Sequence, residues 1–228
     1  MYWCLHSNEV IFSFLGHSDL ITDITMNPIN DIFLTTSRDK TSRLWDLSKR
    51  NCLCIFQDSN YATFDDSGKV IASVTSESDK SSDKIINFIN LYDSDSVLKG
   101  PFKVFKIENA TSEIKQLKFS NDGVFIMCTT SDNVIFLIDA FEGTQLAKLT
   151  GEINENDLYI KADISADSKY IASGSESGNV LIWNTSGELI INLDCHPQTS
   201  YCVRFSPKYA LLATSCTNLV LWHPSKLE

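Results

Sequence analysis

One short motif recurs five times along the chain, and its spacing constrains the fold more than any other feature. The motif is an aliphatic residue, then an aromatic or large apolar residue, and in four copies an Asp or Asn. The copies are Leu44-Trp45-Asp46, Leu91-Tyr92-Asp93, Leu137-Ile138-Asp139, Ile182-Trp183-Asn184 and Leu221-Trp222-His223. Their central residues are 47, 46, 45 and 39 residues apart. A period of about 40–45 residues is typical of β-propellers, in which each repeat forms one blade.

A second landmark lies upstream of each copy and predicts a tight turn between two strands. It is an apolar residue followed by a short polar segment rich in Asp, Asn, Ser, Gly and Pro. Its copies begin at Met26, Phe64, Phe119, Ile164 and Phe205. Between the landmarks lie short apolar or alternating runs such as Ile32–Thr36, and no helical period is sustained. Each repeat therefore predicts four short strands, and the chain is predicted to be an all-β propeller.

The first complete repeat carries the residues that WD repeats use for a buried hydrogen-bonded tetrad. Gly16-His17 precedes the first strand, and we assign the tetrad to His17, Ser37, Asp39 and Trp45. A serine, a histidine and an aspartate also permit a catalytic triad. The repeat context favours a structural role, because four polar groups satisfied by one another can be buried. The later repeats lose parts of this set.

The division into blades follows the landmarks and predicts an incomplete ring. Residues 1–15 are typical of the last two strands of a preceding blade, so we expect a single domain of five blades plus half of another. The predicted segments are 1–15, 16–57, 58–104, 105–150, 151–195 and an incomplete last blade at 196–228. A seven-bladed ring at this period needs roughly 300 residues, so we expect the 228-residue chain to be part of one. The alternative is an open ring whose exposed edge is covered by a partner.

Composition excludes several classes of function. The net charge of −10 argues against direct nucleic acid binding, which needs a basic surface. The seven cysteines form no C-x-x-C pair and show no zinc spacing, which indicates an intracellular protein without a structural metal. The sequence predicts neither a membrane span nor a signal peptide. No catalytic or cofactor-binding motif occurs, so we expect neither enzymatic activity nor a cofactor.

Several segments taken together resemble a narrower family. They are Lys99-Gly100-Pro101-Phe102, Leu117–Gly123, Leu137–Gly143, Phe205–Tyr209 and Ala213–Cys216. In this order they are similar to the WD-repeat protein 82 family, called Swd-two in budding yeast. This family provides the propeller subunit of COMPASS-type histone H3 lysine methyltransferase complexes. The resemblance extends over essentially the whole chain.

The resemblance implies a nuclear, non-catalytic scaffold that binds other proteins in chromatin and transcription. It would link a SET-domain histone H3 lysine-4 methyltransferase complex to transcribing RNA polymerase II, whose phosphorylated C-terminal repeat the family recognises. It also implies relatives in a phosphatase complex and in mRNA 3′-end processing. The alternative is a generic WD-repeat adaptor, such as a ubiquitin-ligase substrate receptor or a signalling scaffold. Ligase receptors often carry Trp-Asp-x-Arg, whereas the chain has Trp45-Asp46-Leu47-Ser48.

Two surface segments complete the expectations. Arg38, Lys40 and Arg43 form the most basic short stretch in a chain with only four arginines, and we take them as a candidate anionic-peptide site. Ordinary solvated turn charges are the alternative. The polar segment 76–84 is expected to be a solvated insertion between two strands, with a regulatory phosphosite as a second possibility.

Overall fold

The computed structural model describes residues 1–79, 84–151, 154–156, 158–194 and 196–224. Within these ranges the regular structure is twenty-one β-strands and one 3-10 turn at Val97–Lys99. Neighbouring strands in each sheet are consecutive in sequence, and the pairings whose registers are described are antiparallel. This arrangement confirms the predicted all-β propeller repeat, since each antiparallel sheet is one blade. No described helix is long and apolar enough to cross a membrane.

The strands form six sheets, of which four have the expected four strands. The first sheet has only β1 (Tyr2–Cys4) and β2 (Glu9–Phe12), and the last has three strands. The second sheet is β3 (Ile21–Met26), β4 (Ile32–Ser37), β5 (Thr41–Asp46) and β6 (Asn51–Gln57). The third is β7 (Ser59–Phe64), β8 (Val70–Asp79), β9 (Lys84–Asp93) and β10 (Lys103–Ile107). The fourth is β11 (Ile114–Phe119), β12 (Phe125–Thr130), β13 (Ile135–Asp139) and β14 (Gln145–Leu149). The fifth is β15 (Ala162–Ile164), β16 (Tyr170–Gly174), β17 (Asn179–Asn184) and β18 (Leu189–Asp194). The last is β19 (Cys202–Phe205), β20 (Leu212–Ser215) and β21 (Leu219–Trp222).

Both landmarks occupy constant places in the sheets. In each of the five later sheets the first landmark begins within the third strand, and the second landmark forms the turn between the first and second strands. In the turn after β11, the Ser120 hydroxyl bonds the Asp122 carboxylate at 2.6 Å and accepts the Phe125 N–H at 3.0 Å. The turn after β15 repeats both bonds with Ser165, Asp167 and Tyr170. At these turns, where the chain reverses, hydrogen bonds from polar side chains therefore replace the backbone hydrogen bonds between strands.

Two details differ from the sequence-based division. β10 extends to Ile107, so the third sheet passes the boundary placed after residue 104. β8 and β9 extend to Asp79 and from Lys84, so only residues 80–83 of the expected insertion fall between them, and those four lie outside the described residues. Strand pairing needs only backbone groups, so the polar composition of 76–79 does not prevent it.

The chain divides into two compact units. The first comprises Met1–Ser76 and Phe88–Phe105. Its main apolar cluster lies between the second and third sheets and is made of Leu34, Leu44, Phe56, Ala62, Phe64, Ile71 and Val97. Aliphatic and aromatic side chains, all but Val97 on strands, meet there, so each of the two sheets has an apolar face that its neighbour covers.

The second unit comprises Glu77–Asn87 and Lys106–Glu228. Its larger cluster joins the fourth and fifth sheets and includes Met127, Ile135, Leu137, Leu149, Ile171 and Trp183. A smaller cluster joins the fifth and last sheets through Ala172, Val180, Val203 and Leu212. In each of these three pairs the adjacent sheets therefore share a core, as expected for blades that cannot bury both faces alone.

Candidate functional site

A buried polar tetrad links the segment before β3 to strands β4 and β5. His17 Nδ1 lies 2.8 Å from Asp39 Oδ2, and His17 Nε2 lies 2.7 Å from Thr35 Oγ1. The Trp45 indole N–H donates to the same Thr35 oxygen at 2.8 Å. The side chains of His17 and Asp39 are 5% and 7% exposed. The four groups thus satisfy one another where water does not reach.

The hydroxyl of this tetrad belongs to Thr35, and its assignment to Ser37 is wrong. Both residues lie on the same face of β4, but Thr35 is two positions nearer to Trp45 along the strand. The Ser37 hydroxyl instead donates to the Asp19 carbonyl at 3.1 Å and accepts the Asp39 N–H at 3.2 Å. Sequence spacing alone does not separate two hydroxyl residues on one strand face.

Asp39 is the anionic member of the tetrad. Burial opposes its ionisation, but hydrogen bonds from the side chains of Thr41 and His17 and from the backbone N–H groups of Ser18 and Thr41 more than compensate. These bonds hold the pKa of the Asp39 carboxyl well below its ordinary value. The Asp39 carboxylate therefore fixes the position of His17 and the conformation of the turn between β4 and β5.

Asp39, His17 and Thr35 are connected in the order carboxylate, base and nucleophile of a catalytic triad, but Thr35 has a structural role. Its side chain is buried, and its oxygen contacts both His17 and Trp45. A nucleophile needs room for a reacting carbon beside its oxygen, and burial leaves none.

A second, partial tetrad, which was not predicted from the sequence, occurs in the last sheet. His196 Nε2 lies 2.8 Å from Thr214 Oγ1, and the Trp222 indole N–H donates to that oxygen at 3.0 Å. Burial lowers the pKa of His196. The signal was available, since histidine and threonine are 18 residues apart in both copies. Asn218 stands four residues after Thr214, where Asp39 stands after Thr35.

The three candidate anion-binding cations occupy two different environments. Arg38 and Lys40 are exposed in the turn between β4 and β5, where Lys40 has a φ of +60°. Arg43 is half-buried on β5, with its guanidinium carbon 6.0 Å from the Trp45 ring centroid. A Cβ added to Gly16 would lie 2.0 Å from a terminal nitrogen of Arg43, so the absence of a side chain at Gly16 leaves space for the guanidinium. Its Nε atom is buried and has no hydrogen-bond partner among the described residues.

Another charged cluster joins the first strands of three successive sheets in the second unit. We call it the first-strand ladder and define it as Lys118 on β11, Asp163 on β15 and Arg204 on β19. Lys118 Nζ forms an ion pair with Asp163 Oδ1, and Arg204 lies 3.5 Å from the same oxygen. Asp163 Oδ2 accepts the Phe205 N–H at 2.7 Å. Each ladder residue directly precedes the second landmark of its repeat, which is the sequence signal that identifies it.

The second unit also contains an apolar groove of about 600 Å³ beside β21. Its wall includes Ile182, Ile190, Leu193, Phe205, Leu212 and Trp222. Among the described residues β21 is the outermost strand of the last sheet, whereas the preceding sheet has a fourth strand in the corresponding place. Among the described residues no group of three or more His, Cys, Asp or Glu side chains is arranged to hold a metal ion.

Comparison with known proteins agrees with this geometry. The family model for the WD domain, G-beta repeat, matches residues 8–46 and 143–184. A chain in the crystal structure of the mitotic checkpoint complex superposes with a TM-score of 0.75 at 17% identity, covering 97% of this chain and 67% of that one. The chain is therefore a WD-repeat β-propeller.

Two relatives define the family more narrowly. WD repeat-containing protein 82 of Drosophila melanogaster is 40% identical over 233 residues, which cover all of this chain and 70% of that protein. The COMPASS component SWD2 of Saccharomyces cerevisiae is 32% identical over 231 residues, which cover 94% of this chain and 68% of that protein. The chain belongs to the WD repeat-containing protein 82 family, which confirms the resemblance drawn from its sequence segments.

Proposed function

We propose that the protein is a non-catalytic scaffold subunit of a COMPASS-type histone H3 lysine-4 methyltransferase complex in the nucleus. The observation that carries this proposal is the 40% identity to WD repeat-containing protein 82 over the full chain. The similarity to a yeast protein named as a COMPASS component supplies the complex. A scaffold role also fits a fold whose polar tetrad is buried, because buried groups stabilise blades rather than meet substrates.

The partner surface is proposed to be the propeller's loops and strand ends, which bind a SET-domain subunit and a phosphorylated RNA polymerase II tail. An acidic protein with a net charge of −10 needs a local cluster of cations to attract a phosphorylated peptide. Arg38 and Lys40 are exposed in one turn and supply part of such a cluster. Arg43 contributes from β5, where it packs on Trp45.

Depletion of the protein from cells tests the scaffold role. We expect histone H3 lysine-4 methylation at transcribed genes to fall while the methyltransferase itself remains present. The purified protein mixed alone with histone H3 and a methyl donor should transfer no methyl group. Unchanged lysine-4 methylation after depletion would contradict the proposal, and methyl transfer by the protein alone would contradict its non-catalytic part.

Substitution of the three cations tests the peptide site. The combined variant Arg38→Ala, Lys40→Ala and Arg43→Ala should weaken binding of a phosphorylated C-terminal repeat peptide by about tenfold or more, since charge-assisted hydrogen bonds are lost. Fluorescence anisotropy measures the affinity. Arg50→Ala, which removes one exposed arginine elsewhere, is the control. Equal affinities of the triple variant and the wild type would remove this turn from the site.

A further inference from the structure

The first-strand ladder concentrates two cations on one buried carboxylate. Lys118 and Arg204 come from different sheets, yet both contact Asp163 Oδ1. The Asp163 side chain is 3% exposed, whereas those of Lys118 and Arg204 are 28% and 50% exposed. The Asp163 carboxylate is therefore buried, whereas the Lys118 and Arg204 side chains extend from it to the surface. A chain with only 19 lysines and arginines against 29 acidic residues gathers positive charge here.

Asp163 holds the cations in place without using all of their hydrogen-bonding capacity. Its second oxygen is occupied by the Phe205 N–H, so the carboxylate is fixed by β19 itself. Arg204 approaches it through one terminal nitrogen, NH1, at 3.5 Å. The guanidinium has five N–H donors in a planar fork, and such a fork matches two oxygens of a phosphate group. A cation positioned in advance loses less conformational entropy when it binds an anion.

Exposed aromatic side chains lie on the segments that lead into the same strands. Tyr159 precedes β15 and Tyr201 precedes β19, and both rings are exposed. The Lys161 ammonium lies 5.5 Å from the Tyr159 ring centroid, and the Lys161 N–H donates to the Tyr201 carbonyl at 3.1 Å. Tyrosine surfaces next to cations are suited to peptides, since they supply contact area at low entropic cost.

We propose that Lys118 and Arg204 bind the phosphate group of a phosphorylated peptide, with Asp163 as the residue that positions them. This proposal rests on the proposed function and names a second place on the propeller where the phosphorylated tail is held. Nucleic acid is a poorer partner, because a phosphate backbone needs many cations and the chain is acidic overall. A single phosphate group on a flexible peptide needs only one such pair of cations.

Fluorescence anisotropy with the whole chain tests the proposal. The probes are a fluorescein-labelled C-terminal repeat peptide with phosphoserine and the same peptide without phosphate. We expect Lys118→Ala and Arg204→Ala each to weaken binding of the phosphorylated peptide by about tenfold, with little change for the unmodified one. Arg204→Lys keeps the charge but not the fork, so it should lose less than Arg204→Ala. Arg50→Ala is the matched control and should bind as the wild type does.

The outcomes separate this proposal from the one on which it rests. If the wild type binds the phosphorylated peptide and the Lys118→Ala and Arg204→Ala variants bind it equally well, the ladder site is overturned and the proposed function is left standing. A wild type that does not prefer the phosphorylated peptide would overturn the proposed tail binding, and the ladder site with it. Full displacement of the peptide by a short single-stranded oligonucleotide at equal phosphate concentration would contradict the proposal that the ligand is a phosphorylated peptide and not a nucleic acid. A thermal melt of each variant verifies that the fold is retained.

Discussion

At the scale of single residues, Thr35 is the centre of the polar tetrad. Its one oxygen contacts both His17 Nε2 and the Trp45 indole, so two buried polar groups depend on it. Buried donors and acceptors that lose their partner retain the full cost of leaving water. Ser37, by contrast, bonds only backbone groups at the end of β4. The Thr35 hydroxyl therefore contacts two buried side chains, whereas the Ser37 hydroxyl bonds backbone groups.

Replacing Thr35 by valine should destabilise the protein more than replacing Ser37 by alanine. Thr35→Val keeps the side-chain volume but leaves the histidine and the indole unpaired, at a cost of about 1–3 kcal/mol in the free energy of unfolding. Ser37→Ala removes backbone contacts at about 0.5–1.5 kcal/mol. Urea unfolding measures both values. The reverse order would return the tetrad role to Ser37.

Asp39 makes the stability of the protein depend on pH. Its carboxyl has a lower pKa in the folded state than its ordinary value near 3.8, so the folded state favours the ionised form. The stabilisation is present above this ordinary pKa and is lost as the pH falls below it. Asp39→Asn should therefore be less stable than the wild type at pH 7, and this difference should shrink below about pH 4. A constant difference in the melting temperatures of the two proteins between pH 7 and pH 3 would contradict this account.

At the scale of elements, the turns decide how each strand pair is joined. The turn between β7 and β8 uses Gly68 at a φ of +68°, a region that costs other residues about 1–2 kcal/mol. A Cβ there would lie 2.5 Å from Asn27 Oδ1, because the Asn27 side chain donates to the Gly68 carbonyl at 2.7 Å. This turn therefore joins the second and third sheets, in addition to reversing the chain.

A pair of glycine substitutions separates the two requirements at this turn. Gly68→Ala should be destabilised by the backbone conformation and by the approach to Asn27. Gly123→Ala, in the equivalent turn after β11, meets no atom within 4 Å at a φ of +71°, so it should pay only the backbone cost of about 1 kcal/mol. Thermal unfolding compares the two variants. Equal losses of stability would mean that Asn27 moves aside freely.

The elements also indicate what the sequence alone can predict. Landmark spacing predicts the propeller and the turns between the first and second strands, because strand periodicity and turn chemistry are local properties. The tetrad hydroxyl and the ladder depend on which side chains meet across strands and sheets. The second landmark marks the positions of Lys118 and Asp163, which are 45 residues apart, but the contact between them depends on the packing of successive first strands. Arg43 and Trp45, in contrast, are two residues apart on β5, so their position on one strand face follows from the alternation of side chains.

At the scale of the whole molecule, the first strand of the second sheet stands out by its exposure. Ile21, Ile24 and Met26 on β3 are 51%, 59% and 53% exposed. The corresponding strand of the fourth sheet, β11, buries Ile114, Leu117 and Phe119. Apolar side chains on a blade are normally covered by the adjacent blade. The apolar side chains of β3 therefore form a surface that additional blade strands could cover.

Two additional upstream strands should therefore stabilise the chain. We expect an N-terminal extension that completes the half blade to raise the thermal midpoint, because it would cover β3 and reduce association through exposed edges. Differential scanning calorimetry measures the midpoint, and a glycine–serine extension of equal length is the control. An unchanged midpoint would contradict the proposed blade division.

The most direct test of the scaffold role is affinity purification of the tagged endogenous protein followed by mass spectrometry. We predict recovery of a SET-domain methyltransferase together with its other propeller subunits. A variant with a disrupted tetrad, Thr35→Val with His17→Ala, should recover less of them if the folded propeller carries the interaction. Recovery of ubiquitin-ligase or signalling components without any chromatin partner would contradict the proposed function, although the assignment of the fold would be unaffected.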